Sequence, residues 1–197
     1  MLEMLLYLLT GAAAGVLAGL LGIGGGVIIV AALVWILPLA GFDSAHVMHV
    51  ALATALASIV FTSLSSAYAH WKRGGVLWPS VQRLVPGLLI GAWFGALLAT
   101  RVPGEVLRWA VAAFCVLAAW RMAFAGVREG SAVDAVPRSP WLLAWGGLIG
   151  VISAVVGIGG GSLTVPLLVW YGARPVRAIG TSACCGFAIA IAAAGGY

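Results

Sequence analysis

The residues of this chain best placed to do chemistry have no side chains. Gly22-Ile23-Gly24-Gly25-Gly26 recurs 135 positions later as Gly157-Ile158-Gly159-Gly160-Gly161. The match extends outward, from Gly15-Val16 and Gly150-Val151 to Leu33-Val34-Trp35 and Leu168-Val169-Trp170. Over residues 15–36 against 150–171, 11 of 22 positions are identical. A duplication of this kind defines the unit of construction. Glycine accepts positive φ and lets a ligand reach the backbone. A helix that starts after such a cluster presents about four N–H groups at its electropositive end. That end can hold an anion without a charged side chain. The plainer reading is that these glycines let helices approach closely. Three in a row, in two copies, favour a role at a site, so Gly24, Gly25, Gly26, Gly159, Gly160 and Gly161 are candidate substrate-binding residues.

Hydroxyls are the other polar groups within the apolar stretches: Thr54, Ser58, Thr62, Ser63, Ser65, Ser66, Ser162, Thr164, Thr181 and Ser182. Most suit hydrogen bonding back to their own helix. Thr54, Thr181 and Ser182 join the candidate set because Ala53-Thr54-Ala55 corresponds to Gly180-Thr181-Ser182 at an offset of 127. No Asp or Glu lies deep in an apolar stretch, as a cation pathway usually requires, so an anion is the expected cargo. His46, His49 and His70 lie near the ends of one stretch and could carry protons, although interfacial placement is the simpler account. A nucleotide fingerprint is excluded, because Val27 and Ser162 stand where its last glycine belongs and no acid follows. Cys115, Cys184 and Cys185 have no metal-ligand or disulfide spacing. No metal, cofactor or nucleophile–base pair is expected, and hence no enzyme.

The elements that must position these groups follow from composition. Of 197 residues, 63% are hydrophobic and 8% charged, against roughly 25% charged in soluble domains. Several apolar stretches reach the ~20 residues that cross a bilayer. The expected fold is all-α: a polytopic integral membrane protein with an inverted repeat and Gly-broken helices. The net charge of +5 comes without a basic block, which excludes a nucleic-acid patch. The partners expected are a small anion and the lipid bilayer; oligomerisation is left open. Glu3 is the only early charge, so the first helix does not look like a cleaved signal peptide.

In order, the apolar segments run over 4–21, 25–40, 45–70, 79–100, 105–125, 140–156, 160–172 and 176–196. Residues 1–125 form the first repeat half, 126–139 a polar cytoplasmic linker and 140–197 the second half, which stops two spans short of the first. If all eight segments cross with the N-terminus outside, eight of the ten Lys and Arg residues fall on the cytoplasmic side and only Arg101 and Arg108 outside, as the positive-inside bias requires. Re-entrant hairpins would preserve this parity. The two glycine clusters then lie five segments apart and point in opposite directions. Gly-interrupted segments in inverted repeats mark the binding site of many secondary transporters.

These features resemble the TauE/SafE, or sulfite exporter, family of membrane permeases. The resemblance rests on Gly22–Gly26 with Trp35, Ala53-Thr54-Ala55-Leu56 leading into Thr62-Ser63-Leu64-Ser65-Ser66, and Gly157–Gly161, Pro166 and Gly180-Thr181-Ser182. Ala53 and Ala55 depart from the family's Gly and Ser, and the chain ends earlier than typical members. The resemblance implies a permease of the bacterial inner membrane for sulfite, sulfonates or related sulfur-containing anions, driven by the proton-motive force. Export is the expected direction. A channel-like or structural membrane subunit, in which the glycines only pack, is the alternative.

Overall fold

The computed structural model describes residues 9, 11, 12, 25–43, 46–124 and 141–197, with side chains for all of these but 121–123. Most of the 4–21 segment, Gly24 and the 126–139 linker therefore lie outside the described residues. Seven helices carry the described residues: α1 (Gly26–Leu39), α2 (Val47–Lys72), α3 (Trp78–Arg101), α4 (Gly104–Phe124), α5 (Trp141–Val156), α6 (Gly161–Trp170) and α7 (Pro175–Gly196). The protein is all-α, with no strand among the described residues. Pro79 and Pro175 stand in the first turns of α3 and α7, where proline's missing N–H costs nothing. Among the described residues, three helices are long and apolar enough to cross a membrane: Val47–Lys72, Trp78–Ala99 and Pro175–Gly196. Their outward faces expose Phe61, Ile90, Phe94 and Leu98. A surface so apolar is suited to lipid rather than water.

Contacts orient the bundle. Gly180 of α7 lies against the Gly75 carbonyl and His70 at the end of α2. Seven residues back along α2, Ser63 lies beside Gly186, six residues on along α7. The two matched helices of the repeat thus run antiparallel. One end of the bundle carries Lys72, Arg73, Arg174 and Arg177. At the other end, the start of α2 meets the α3–α4 connection, with Arg101 and Arg108 close by; His49 Nε2 lies 3.1 Å from the Val102 carbonyl. The division of these cations between two ends matches the sequence expectation.

α3 and α5 run parallel. Gly87 and Gly91 face Leu143 and Gly147, and Gly95 faces Val151. α5 therefore starts at the basic end. α6 has 10 residues, about 15 Å of helix against a hydrocarbon core of about 30 Å. It leads through Gly172 back to the start of α7, the same basic end. Residues 160–172 are thus not a crossing. α5 and α6 form a re-entrant hairpin that enters and leaves at the basic end, and the described Lys and Arg residues keep the ends assigned to them.

Candidate functional site: two helix starts at mid-depth

The glycine breaks sit level with the middle of the bundle. Ile59 is midway along α2, and both Gly26 and Gly159 pack against it; Gly186, midway along α7, packs on the Gly159 carbonyl. Gly26 also lies directly against the Gly157 carbonyl, with no room for a β-carbon between them. The two copies of the motif therefore touch. From this meeting point α1 leaves toward the end that carries Arg108, and α6 toward the basic end. The start of α1 thus lies against the residue four positions before the start of α6.

Backbone conformation explains why glycine is needed here. Gly25 and Gly160 are the N-caps of α1 and α6, at φ +60° and +73°. Left-handed conformations of this kind are costly for residues with a β-carbon. Neither cap is closed by a side-chain hydrogen bond. The first ladder bonds run from Ile29 N–H to the Gly25 carbonyl and from Leu163 and Thr164 N–H to the Gly160 carbonyl. The N–H groups of Gly26, Val27 and Ile28, and of Gly161, precede any acceptor in their own helix.

Hydroxyl groups gather on the α6 side. A β-carbon on Gly161 would lie 3.5 Å from Ser182 Oγ, and one on Gly160 3.4 Å from Thr164 Oγ1. Ser182 is buried, and Thr164 and Ser153 are fully buried. Thr164 Oγ1 and Ser153 Oγ have no hydrogen-bond partner among the described residues. Buried hydroxyls nearly always find partners, so two such exceptions beside one chain break mark a place built for something else.

Comparison with known proteins agrees with this architecture. The family model described as "Sulfite exporter TauE/SafE" matches residues 7–197. The chain belongs to the sulfite exporter TauE/SafE family. It is 38% identical over 188 residues to a "Probable membrane transporter protein" of Haemophilus influenzae, covering 95% of this chain and 70% of the relative. It is 33% identical over 107 residues to "Probable membrane transporter protein YdhB" of Bacillus subtilis, covering 53% of this chain and 40% of that relative. No solved structure matches. The chain is thus a multi-pass membrane transporter.

Of the candidate residues, the fold brings together Gly25, Gly26, Gly159, Gly160, Gly161 and Ser182. Thr54 is exposed on α2, turned away from the breaks. Thr181 is buried but engaged: its hydroxyl donates to the Arg177 carbonyl at 2.7 Å and accepts the Leu77 N–H at 2.9 Å. It ties α7 to the connection before α3. Cys185 is buried among α7's apolar contacts and Cys184 is half-buried. The described residues hold no group of three His, Cys, Asp or Glu side chains able to bind a metal. Ser153 was not a candidate from sequence, and Thr164 was only one hydroxyl among ten. What distinguishes them is position, four residues before Gly157 and four after Gly160.

Proposed function

We propose that this TauE/SafE protein is a secondary permease of the bacterial inner membrane that exports small sulfur-containing oxyanions, such as sulfite or organosulfonates. The anion sits between the starts of α1 and α6. Backbone N–H groups at Gly26 and Gly161, with the hydroxyls of Ser182 and Thr164, would receive its oxygens. The carrying observation is the contact of Gly26 with the Gly157 carbonyl, because it brings the break before α1 against the break before α6, and the two helix starts would share one ligand. Fixed donors at a helix start suit a charged oxyanion, and among the described residues no carboxylate lies nearby to repel it. Alternating access would rock one half against the other around this point. The positive-inside bias supports a cytoplasmic location for the end with Lys72, Arg73, Arg174 and Arg177, which goes with an outside N-terminus, and proton coupling would supply the driving force.

Uptake of labelled sulfite into proteoliposomes tests this reading. Wild-type flux should saturate and be competed by other sulfur oxyanions. Gly160→Leu should abolish it, since Gly160 sits at positive φ with Ile189 directly beside it. Non-saturable wild-type flux, or full flux through Gly160→Leu, would remove the anion from this site.

A further inference from the structure

A cleft of about 580 Å³ opens at the end of the bundle opposite the basic end. His46 and His49 at the start of α2, Thr100 of α3, and Glu105 and Arg108 of α4 are among the residues that line it. Its mouth is exposed and charged: Glu105 and Arg108 are exposed, and His46 Nδ1 lies 3.6 Å from Asp43 Oδ2. The inner wall differs. His49 is half-buried, with Nε2 3.1 Å from the Val102 carbonyl oxygen. A carbonyl can only accept, so Nε2 carries the hydrogen, and the neutral ring keeps its lone pair on Nδ1. Nδ1 is buried and has no hydrogen-bond partner among the described residues.

Position gives this nitrogen meaning. His49 precedes Leu52 by one helical turn, about 4.5 Å along the axis. The backbone at Gly157 packs on Leu52, where a β-carbon would lie 3.8 Å from the Leu52 Cα. His49 therefore stands between the cleft and Gly157, one turn from Leu52 and about 15 Å along α2 from Ile59, the level of Gly26 and Gly159. The charged and titratable groups around it are few. Asp43, His46, Glu105 and Arg108 stand at the cleft, and Arg101 and Tyr197 at the same end of the bundle, Tyr197 donating to the Ala154 carbonyl at 3.2 Å. α1 and α5 contain no titratable side chain. Arg177 of α7 lies at the opposite end, and Cys184 and Cys185 lie near the level of Gly186.

We propose that His49 is a proton-binding residue of the permease, and that its charge sets how tightly the anion binds at the helix starts. The proposal rests on the anion-permease reading above. On protonation from the cleft side, Nδ1 gains an N–H bond and the ring one positive charge, while Nε2–H still donates to Val102. The imidazolium draws an anion toward the helix starts across the low-dielectric interior. By linkage, a bound anion draws the proton in return.

The test is uptake into proteoliposomes holding the full chain, with pH varied from 5 to 8 on the cleft side, the interval in which an imidazole can change charge. Labelled isethionate and sulfite are both used, because a sulfonate keeps its charge over that interval and sulfite does not. Wild-type uptake at low substrate is expected to fall about tenfold from pH 5 to 8. His49→Gln, whose amide can still donate to Val102, should be flat at the alkaline level, while His46→Gln keeps the wild-type profile. A wild-type profile in His49→Gln, or a flat one in His46→Gln, overturns the proposal and leaves the glycine site standing. Absence of saturable wild-type uptake of either anion overturns both. Nitrogen NMR of histidine-labelled wild-type protein needs no folded His49 variant, with His46→Gln and His70→Gln assigning the signals. Isethionate should raise the His49 midpoint, and an unmoved midpoint overturns the proposal.

Discussion

Glycine does two different jobs in this molecule. Along the α3–α5 seam, Gly87 and Gly91 meet Gly146, Gly147 and Gly150, and Gly95 meets Val151, all in ordinary right-handed helix. Here the missing β-carbon serves contact. At the breaks, Gly25, Gly157 and Gly160 take φ values of +60°, +74° and +73°. There the glycines end one helix and start another. The seam is lined by apolar neighbours, whereas the breaks are flanked by Ser153, Thr164 and Ser182. The contrast teaches that glycine content alone does not identify a site in a membrane protein. Backbone conformation and unpaired polar neighbours do.

The largest effect expected from this contrast is at the seam. A β-carbon at Gly91 would fall on the backbone carbonyl of Gly147, 2.8 Å from its carbon. Backbone cannot rotate aside as a side chain can, so the two helices would have to separate. Gly91→Leu should cost at least about 3 kcal/mol, read as a lower melting temperature in detergent and a lower reconstituted yield. Flux per folded molecule should be unchanged. A stable Gly91→Leu protein with impaired flux would exchange the roles assigned to the two regions.

The pairing of the two motifs was legible because 11 identities at one fixed offset arise by duplication far more readily than by chance. Depth was not. Residues 160–172 are as apolar as a spanning segment, and composition does not record that only ten of them form a helix reaching the middle. Symmetry misled in a second way: it paired Thr54 with Thr181. Thr181 finds its partner at Leu77, 104 positions away, whereas Thr54 is exposed. A shared position in a repeat does not guarantee a shared environment. Thr164 and Ser153 were obscured for the converse reason. Their counterparts are Ile29 and Ala18, so a search for repeated polar residues passes over them. The seam's spacing of glycines every fourth residue stood in the sequence, but nothing there says which helix it meets.

A gentler substitution sharpens the comparison at the breaks. Gly161 is the first residue of α6 and does not need positive φ, and a β-carbon there would stand 3.5 Å from Ser182 Oγ, an ordinary contact. Gly161→Ala should therefore leave stability within about 0.5 kcal/mol. The methyl would nevertheless stand between the helix-start N–H groups and the anion. Sulfite flux should fall about tenfold, equivalent to about 1.4 kcal/mol. Unchanged flux would move the anion away from the start of α6.

The smallest effect separates function from stability by sign. Thr164 is fully buried, and its Oγ1 has no hydrogen-bond partner among the described residues. An unpaired buried hydroxyl costs about 1–3 kcal/mol, and an apolar group of the same shape removes that cost. Thr164→Val should therefore raise stability by about 1 kcal/mol while lowering flux several-fold, because an oxygen of the anion loses its donor. Most substitutions in a packed interior move stability and activity down together. Opposite movement in thermal unfolding and sulfite uptake is expected only where a polar group is kept for a ligand at the fold's expense. If Thr164→Val instead destabilises the protein, the hydroxyl serves the fold, and the α6 side of the break must be read as packing, like the seam.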